Sequence, residues 1–188
     1  MTKSIMIVGV GGQGTLLASR ILGNTLLSLD YDVKVSEVHG MSQRGGSVVT
    51  YVRYGDKVFS PIIDKGEADV ILAFEMLEAY RALPFLKKGG TMIANLQETA
   101  PMPVITNAEK YPENIESKLA DKVCLKTVNA LKLAEEAGNF KATNVVLIGV
   151  MAKSVGVPYE KWIETITQTV PKKLLDVNIK AFDLGYNI

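Results

Sequence analysis

The sequence predicts an α/β fold, and three observations carry that prediction. Short apolar runs of strand length alternate with longer stretches whose apolar residues recur at helical spacing. Glycine clusters fall between a run and the helical stretch after it, where a chain has to turn sharply. Hydrophobic residues make up 47% and charged residues 22% of the 188, a composition that supports a sizeable core and excludes disorder. The expected architecture is a mostly parallel sheet flanked by helices, with a β-hairpin insertion and a helical carboxyl-terminal part. All of 1–188 is expected to form a single domain.

Residues 4–8 read as a buried strand. After the glycines, Leu16, Leu17, Ile21, Leu22 and Leu26 are spaced for a helix with one apolar face. Residues 31–38 supply a second strand, so the amino-terminal third forms a βαβ unit with parallel strands and a right-handed crossover. Residues 47–54 are rich in valine and tyrosine, and Gly55-Asp56 supplies a turn into Val58 and Phe59, as a hairpin requires. Residues 68–74 and 90–96 are further buried strands, separated by a helical stretch over 75–86 that ends at Lys87-Lys88-Gly89-Gly90. The segment 98–116, with its prolines, is a long excursion within the domain or a partner-facing arm. Residues 122–128 are the last strand, and 129–137 a short helix closed by Gly138 in the left-handed conformation. TNVVLIGVMAKSVG is apolar nearly all round and predicts a buried helix. Pro158 starts another, with Trp162, Ile163, Ile166 and Val170 on one side.

The composition removes several function classes. With Lys+Arg 21 against Asp+Glu 20, the net charge offers no global field to hold nucleic acid or an anionic membrane. Cys124 and His39 are the single cysteine and histidine, so this chain alone builds no intrachain disulfide, cysteine-ligated zinc site or iron–sulfur cluster. The opening residues MTKSIMIVGVGGQG break at Gly9, too early for a secretory h-region or a membrane span, which leads to the expectation of a cytoplasmic protein.

Gly9-Val10-Gly11-Gly12-Gln13-Gly14 satisfies G-x-G-x-x-G between a strand and a helix, the context that makes the sheet Rossmann-like. Its glycines let the backbone turn tightly and approach a ligand, and the free N–H groups of the helix start favour an anion such as a phosphate. The bland reading is a tight turn with close helix–sheet packing. NAD is less favoured than an anion contact in general. Glu37 is placed to receive a ribose hydroxyl, but the loop after it crowds the space adenosine requires.

That loop, within EVHGMSQRGGSVVTYVRYG (37–55), holds Gly40, Gly45 and Gly46 for unusual backbone angles. Arg44 supplies a planar fork for carboxylate or phosphate, and Ser42 and Gln43 add neutral hydrogen bonds. A solvated hairpin-like connection is the competing reading. His39 with Ser42 is not a hydrolase site, because no nucleophile elbow or oxyanion hole accompanies it. Cys124 falls within an apolar strand and is expected in the core.

GVGGQGTLLASRILG, the 37–55 stretch, NLQ, ATNVVLIGV and the tail PKKLLDVNIKAFDLGY together resemble the gamma-type domain of 2-oxoacid:ferredoxin oxidoreductases, essentially end to end. Within that family the resemblance is nearest to the small subunit of the indolepyruvate enzymes. It implies a complex that decarboxylates an aryl pyruvate on thiamine diphosphate, passes electrons through iron–sulfur clusters to ferredoxin and forms an acyl-coenzyme A. Thiamine diphosphate and clusters belong there to a large catalytic alpha subunit. This chain is then a subunit inactive alone, with coenzyme A as co-substrate and no catalytic acid, base or nucleophile of its own. A homodimer of the isolated chain stays open. The residues implied in binding are Gly9, Gly11, Gly12, Gln13, Gly14, Ser42, Gln43, Arg44, Gly45 and Gly46. The alternative is a free-standing nucleotide-binding module for NAD or coenzyme A.

Overall fold

A computed structural model describes residues 2–39 and 45–188. The strands are β1 (Lys3–Val10), β2 (Asp32–His39), β3 (Ser47–Gly55), β4 (Ala68–Ala73), β5 (Leu86–Asn95) and β6 (Cys124–Val128). They form one sheet in the order β2-β3-β1-β4-β5-β6. The helices are α1 (Thr15–Leu27), α2 (Met76–Ala82), α3 (Met102–Ile105), α4 (Ile115–Ala120), α5 (Ala130–Ala137), α6 (Thr143–Val155), α7 (Tyr159–Thr169) and α8 (Leu175–Tyr186).

From Ile5 onward strand β1 carries no polar side chain and is buried, because both of its faces are covered. Ile5 and Ile7 face a core shared with α1, α5, α6, α7 and α8. Met6 and Val8 face a second core shared with α2 and α4. The pairings of β1 with β4, β4 with β5 and β5 with β6 are parallel, so the sheet is mostly parallel, as expected. No helix of the described residues is long and apolar enough to cross a membrane.

The antiparallel part differs from the expected one. Strand β3 pairs antiparallel with β2 on one side and with β1 on the other. Strands β1 and β2 therefore run in the same direction, as a βαβ unit demands, but β3 is inserted between them. The hairpin is β2–β3, and the turn at Gly55-Asp56 does not lead into another strand. Instead the Val58 N–H donates to Asp32 Oδ2 at 2.8 Å, which tucks Val58 under the start of β2. Phe59 is left 85% exposed, and Pro61 has no N–H for a ladder.

Two further corrections concern the right-hand strands. The helical stretch expected over 75–86 is found as α2 continued by a 3-10 turn at Leu83–Phe85, but β5 begins at once at Leu86, so Gly89 and Gly90 lie inside a strand rather than closing a helix. Cys124 is exposed, not in the core. It opens an edge strand in which only Val128 is buried. An apolar run predicts burial only where helices cover both faces.

The carboxyl-terminal helices pack as expected. Trp162, Ile166 and Phe182 are fully buried, each contributing roughly 1.5–3 kcal/mol by removal from water. Helices α6 and α8 approach so closely that a Cβ on Gly149 would lie 2.3 Å from the Phe182 carbonyl oxygen. One on Gly185 would lie 2.1 Å from that of Val146.

Candidate functional site

Because β1, β4, β5 and β6 are parallel, their carboxyl ends emerge on one rim, and the turns after them build the candidate site. The glycine turn follows β1. Gln13 fixes it by folding back: its Oε1 accepts the Val10 N–H at 2.7 Å and its Nε2 donates to the Phe74 carbonyl at 3.4 Å. One side chain thereby joins the ends of β1 and β4. A Cβ on Gly9 would lie 2.8 Å from Gln13 Oε1 and 2.9 Å from Phe74 Cβ, so this arrangement needs glycine at position 9. Gly14 precedes α1 at φ 83° without a side-chain cap, and a Cβ there would meet Asn144 Nδ2 at 2.6 Å. That amide donates to the Gly14 carbonyl at 3.2 Å, tying the start of α6 to the turn.

The two glycine segments singled out in the sequence lie side by side. The Gly11 N–H donates to the Gly46 carbonyl at 2.8 Å, and the Gly45 N–H to the Gly11 carbonyl at 3.4 Å, extending the β1–β3 ladder by one step. Gly40, Ser42, Gln43 and Arg44, the polar part of that loop, lie outside the described residues.

A groove of about 370 Å³ opens on one side of the turn, floored by Gly12, Gln13 and Gly14 and walled by Phe74, Gln97, Leu131, Phe140 and Lys141. A second, of about 380 Å³, lies on the α1 side, where Thr15 and Leu16 face Glu37, His39 and Val48. Glu37 accepts from Thr50 Oγ1 at 3.2 Å. It stands one strand further from β1 than the ribose-binding acid of a dinucleotide site, since β3 intervenes.

Beneath the rim lies a polar network that sequence reading did not find. Asn95 Nδ2 donates to the Phe74 carbonyl and to Gln97 Oε1, each at 3.2 Å, and Asn95 Oδ1 accepts the Ala130 N–H at 3.0 Å. One buried amide therefore links the ends of β4, β5 and β6. Glu75, only 1% exposed, accepts from the Glu78 N–H at 2.9 Å, the Thr99 N–H at 2.9 Å and the Tyr111 hydroxyl at 2.7 Å. It caps α2 and pins the 98–116 excursion at Thr99 and Tyr111. Burial first, and then the bond to Glu75, push the Tyr111 phenol well above the ordinary tyrosine range. Glu78 Oε2 accepts from Ser47 Oγ at 2.6 Å and Glu78 Oε1 from Arg81 at 2.6 Å, which anchors the chain where it re-enters β3.

Of these residues, Asn95, Gln97 and Asn144 stood within the short stretches quoted above, but nothing in their spacing gave them a role. Glu75 and Tyr111 are 36 positions apart, and only the fold brings them together.

An open, mostly parallel sheet with a glycine turn at its carboxyl rim defines a Rossmann-like α/β protein with a surface suited to anions or a partner. The chain belongs to the pyruvate ferredoxin/flavodoxin oxidoreductase family, whose model matches residues 4–188. It is 47% identical to the indolepyruvate oxidoreductase subunit IorB of Pyrococcus horikoshii, over 97% of this chain and 93% of that one. In fold it is similar to the pyruvate oxidoreductase subunit PORC of Thermotoga maritima, with TM-score 0.75 at 21% identity over 99% and 96% of the two chains. It also resembles part of the 2-oxoglutarate:ferredoxin oxidoreductase of Magnetococcus marinus, with TM-score 0.69 at 16% identity, covering 99% of this chain and 30% of that larger one.

Proposed function

We propose that this chain is the small, cluster-free subunit of a 2-oxoacid:ferredoxin oxidoreductase acting on an aryl pyruvate, indolepyruvate first among them. The near end-to-end identity with an indolepyruvate oxidoreductase subunit carries this reading. Thiamine diphosphate and iron–sulfur clusters reside on a large catalytic partner and supply decarboxylation and electron transfer to ferredoxin; one cysteine ligates no cluster here. The whole chain acts as one domain in the cytoplasm. Its own part is to offer the carboxyl rim of the sheet to that partner and to coenzyme A.

The distribution of exposed apolar side chains supports the docking role. Leu16, Val38, Leu96, Met102, Ile105 and Phe140 are all exposed, and each follows or ends an element at the carboxyl rim. Such a ring around two grooves suits burial by a second protein. The glycine turn and Arg44 are proposed to meet coenzyme A phosphates or partner carboxylates within it. A free-standing NAD module is not favoured, because β3 stands between β1 and the strand that carries Glu37, unlike the adjacent strands of a dinucleotide site, and the relatives matched end to end are oxidoreductase subunits.

Mixing tests the reading. The chain and a large thiamine- and cluster-bearing subunit are expected to co-purify and to turn over indolepyruvate, coenzyme A and ferredoxin only together. A chain that stays unbound in that mixture refutes it. Arg44→Lys keeps the charge and loses the fork, so coenzyme A affinity or subunit affinity should fall about tenfold to a hundredfold. Titrating coenzyme A against the preassembled variant tells which. Both affinities holding within about twofold means the loop is a solvated connection.

A further inference from the structure

At the end of the sheet remote from the glycine turn, a cleft of about 360 Å³ opens between the first residues of β1, the end of β3, β4, β5 and the carboxyl end of α6. We propose that this cleft binds a small phosphorylated anion through Lys3, Lys87, Lys88 and the hydroxyl of Tyr54.

The cleft owes its shape to an interruption of β5. Ala68 stands opposite Leu86 and Val70 opposite Thr91, so the single residue Asp69 on β4 is met by Lys87, Lys88, Gly89 and Gly90. The surplus residues bulge from the sheet and carry two adjacent lysines to the cleft, beside Lys3 of β1. Gly89 turns at φ 81°, and a Cβ on Gly90 would lie 2.9 Å from the Asp69 carbonyl oxygen. The bulge thus depends on its glycines.

The lining is rich in donors and poor in acceptors. Asp69 is the one carboxylate, and it already accepts from the Ser4 N–H at 2.9 Å and Lys87 at 3.3 Å, with Lys3 at 3.9 Å. Three ammonium groups against one carboxylate leave an excess of positive charge. The carboxyl end of α6 opposes it with only about half a charge. Lys88 has no ion pair and the hydroxyls of Thr91 and Ser154 no hydrogen bond among the described residues.

Tyr54 is the most telling member. It is 8% exposed and lines the cleft, and its hydroxyl has no hydrogen-bond partner among the described residues. Burial first, then neighbouring Tyr31 and Asp69, push its phenol up to about 12, so the group keeps its proton and donates. The ring is packed away while the residue lines the open cleft, so an anionic oxygen bound there is a ready acceptor for its hydroxyl. Lysines are compact point charges with rotatable donors, which suits a tetrahedral phosphate; no planar guanidinium fork for a carboxylate is present among the described lining residues. The volume suits a small molecule.

Calorimetric titration of the full chain with inorganic phosphate, inorganic diphosphate and ADP tests this, with amide chemical shifts locating the site. Saturable one-to-one binding of at least one of them is expected, with a dissociation constant of roughly 0.1–1 mM. Tightest binding by ADP identifies a nucleotide ligand, and tightest binding by diphosphate a simpler phosphate. Tyr54→Phe, which keeps the ring, should weaken binding about tenfold. The exposed pair Lys87→Gln/Lys88→Gln should abolish it with the circular dichroism spectrum unchanged, whereas Lys141→Gln at the opposite rim should leave it intact. The proposal fails if none of the three saturates, if the Lys87/Lys88 variant binds like the parent, or if the shifts map to the Gly9–Gly14 turn. It fails too if a hexaglutamate peptide binds more tightly than diphosphate, because the cleft is then a protein-docking surface.

Discussion

Replacing Glu75 probes the tertiary link between the strand ends and the long excursion. Its side chain is buried and accepts three hydrogen bonds, from Glu78 N–H, Thr99 N–H and the Tyr111 hydroxyl. Glu75→Ala removes an α2 cap, costing about 1 kcal/mol. It also strands two further donors, each hydrogen bond to a carboxylate contributing about 1.5–3 kcal/mol. The expected loss is roughly 4–7 kcal/mol, a large part of the about 5–15 kcal/mol that holds a domain folded. Glu75→Gln keeps one carbonyl oxygen, which accepts from at most two donors, and turns an NH₂ toward the third. Its loss should be about half as large. Urea denaturation followed by fluorescence of Trp162, the single tryptophan and fully buried, measures both. Hydrogen exchange should quicken over 98–111 in particular, because Thr99 and Tyr111 lose their shared anchor. A Glu75→Ala loss below about 1 kcal/mol, or exchange in 98–111 as slow as in the parent, would refute the view that this carboxylate holds the excursion in place.

Gly185→Ala should cost roughly 2–3 kcal/mol in the same assay, because its methyl would sit 2.1 Å from the Val146 carbonyl oxygen and α6 and α8 must separate; a change within about 0.5 kcal/mol would mean the helices yield freely. Stability should also fall at high pH. Burial pushes Tyr54, and the bond to Asp183 pushes Tyr159, up to about 12, against an ordinary value of 10.0. The folded chain holds these protons more tightly than the unfolded one, so the contribution is complete below pH 10, shrinks above it and is gone past about 12. The urea midpoint should decline across that window, and less steeply in Tyr159→Phe; a flat midpoint contradicts the assignment.

What the sequence determined by itself is local. Strand length, helical spacing and glycine placement marked β1, α1, β4, α5, α6 and α7 close to where they stand, because each is written in contiguous residues whose periodicity reports burial. The glycine turn was legible for the same reason: G-x-G-x-x-G is a backbone requirement, met by Gly9 against Phe74 and Gly14 against Asn144. Tertiary structure decided what depends on neighbours distant in sequence. The insertion of β3 between β1 and β2 follows from pairing energies spread over three segments, and no single stretch records it. Cys124 is exposed because β6 ends the sheet, a property of strand order and not of the strand. Glu75, Tyr111, Asn95 and Asn144 form the frame of the candidate site only because buried polar groups must find partners, and the linking ones, Phe74 for Asn95, Tyr111 for Glu75 and Gly14 for Asn144, lie 21, 36 and 130 positions away.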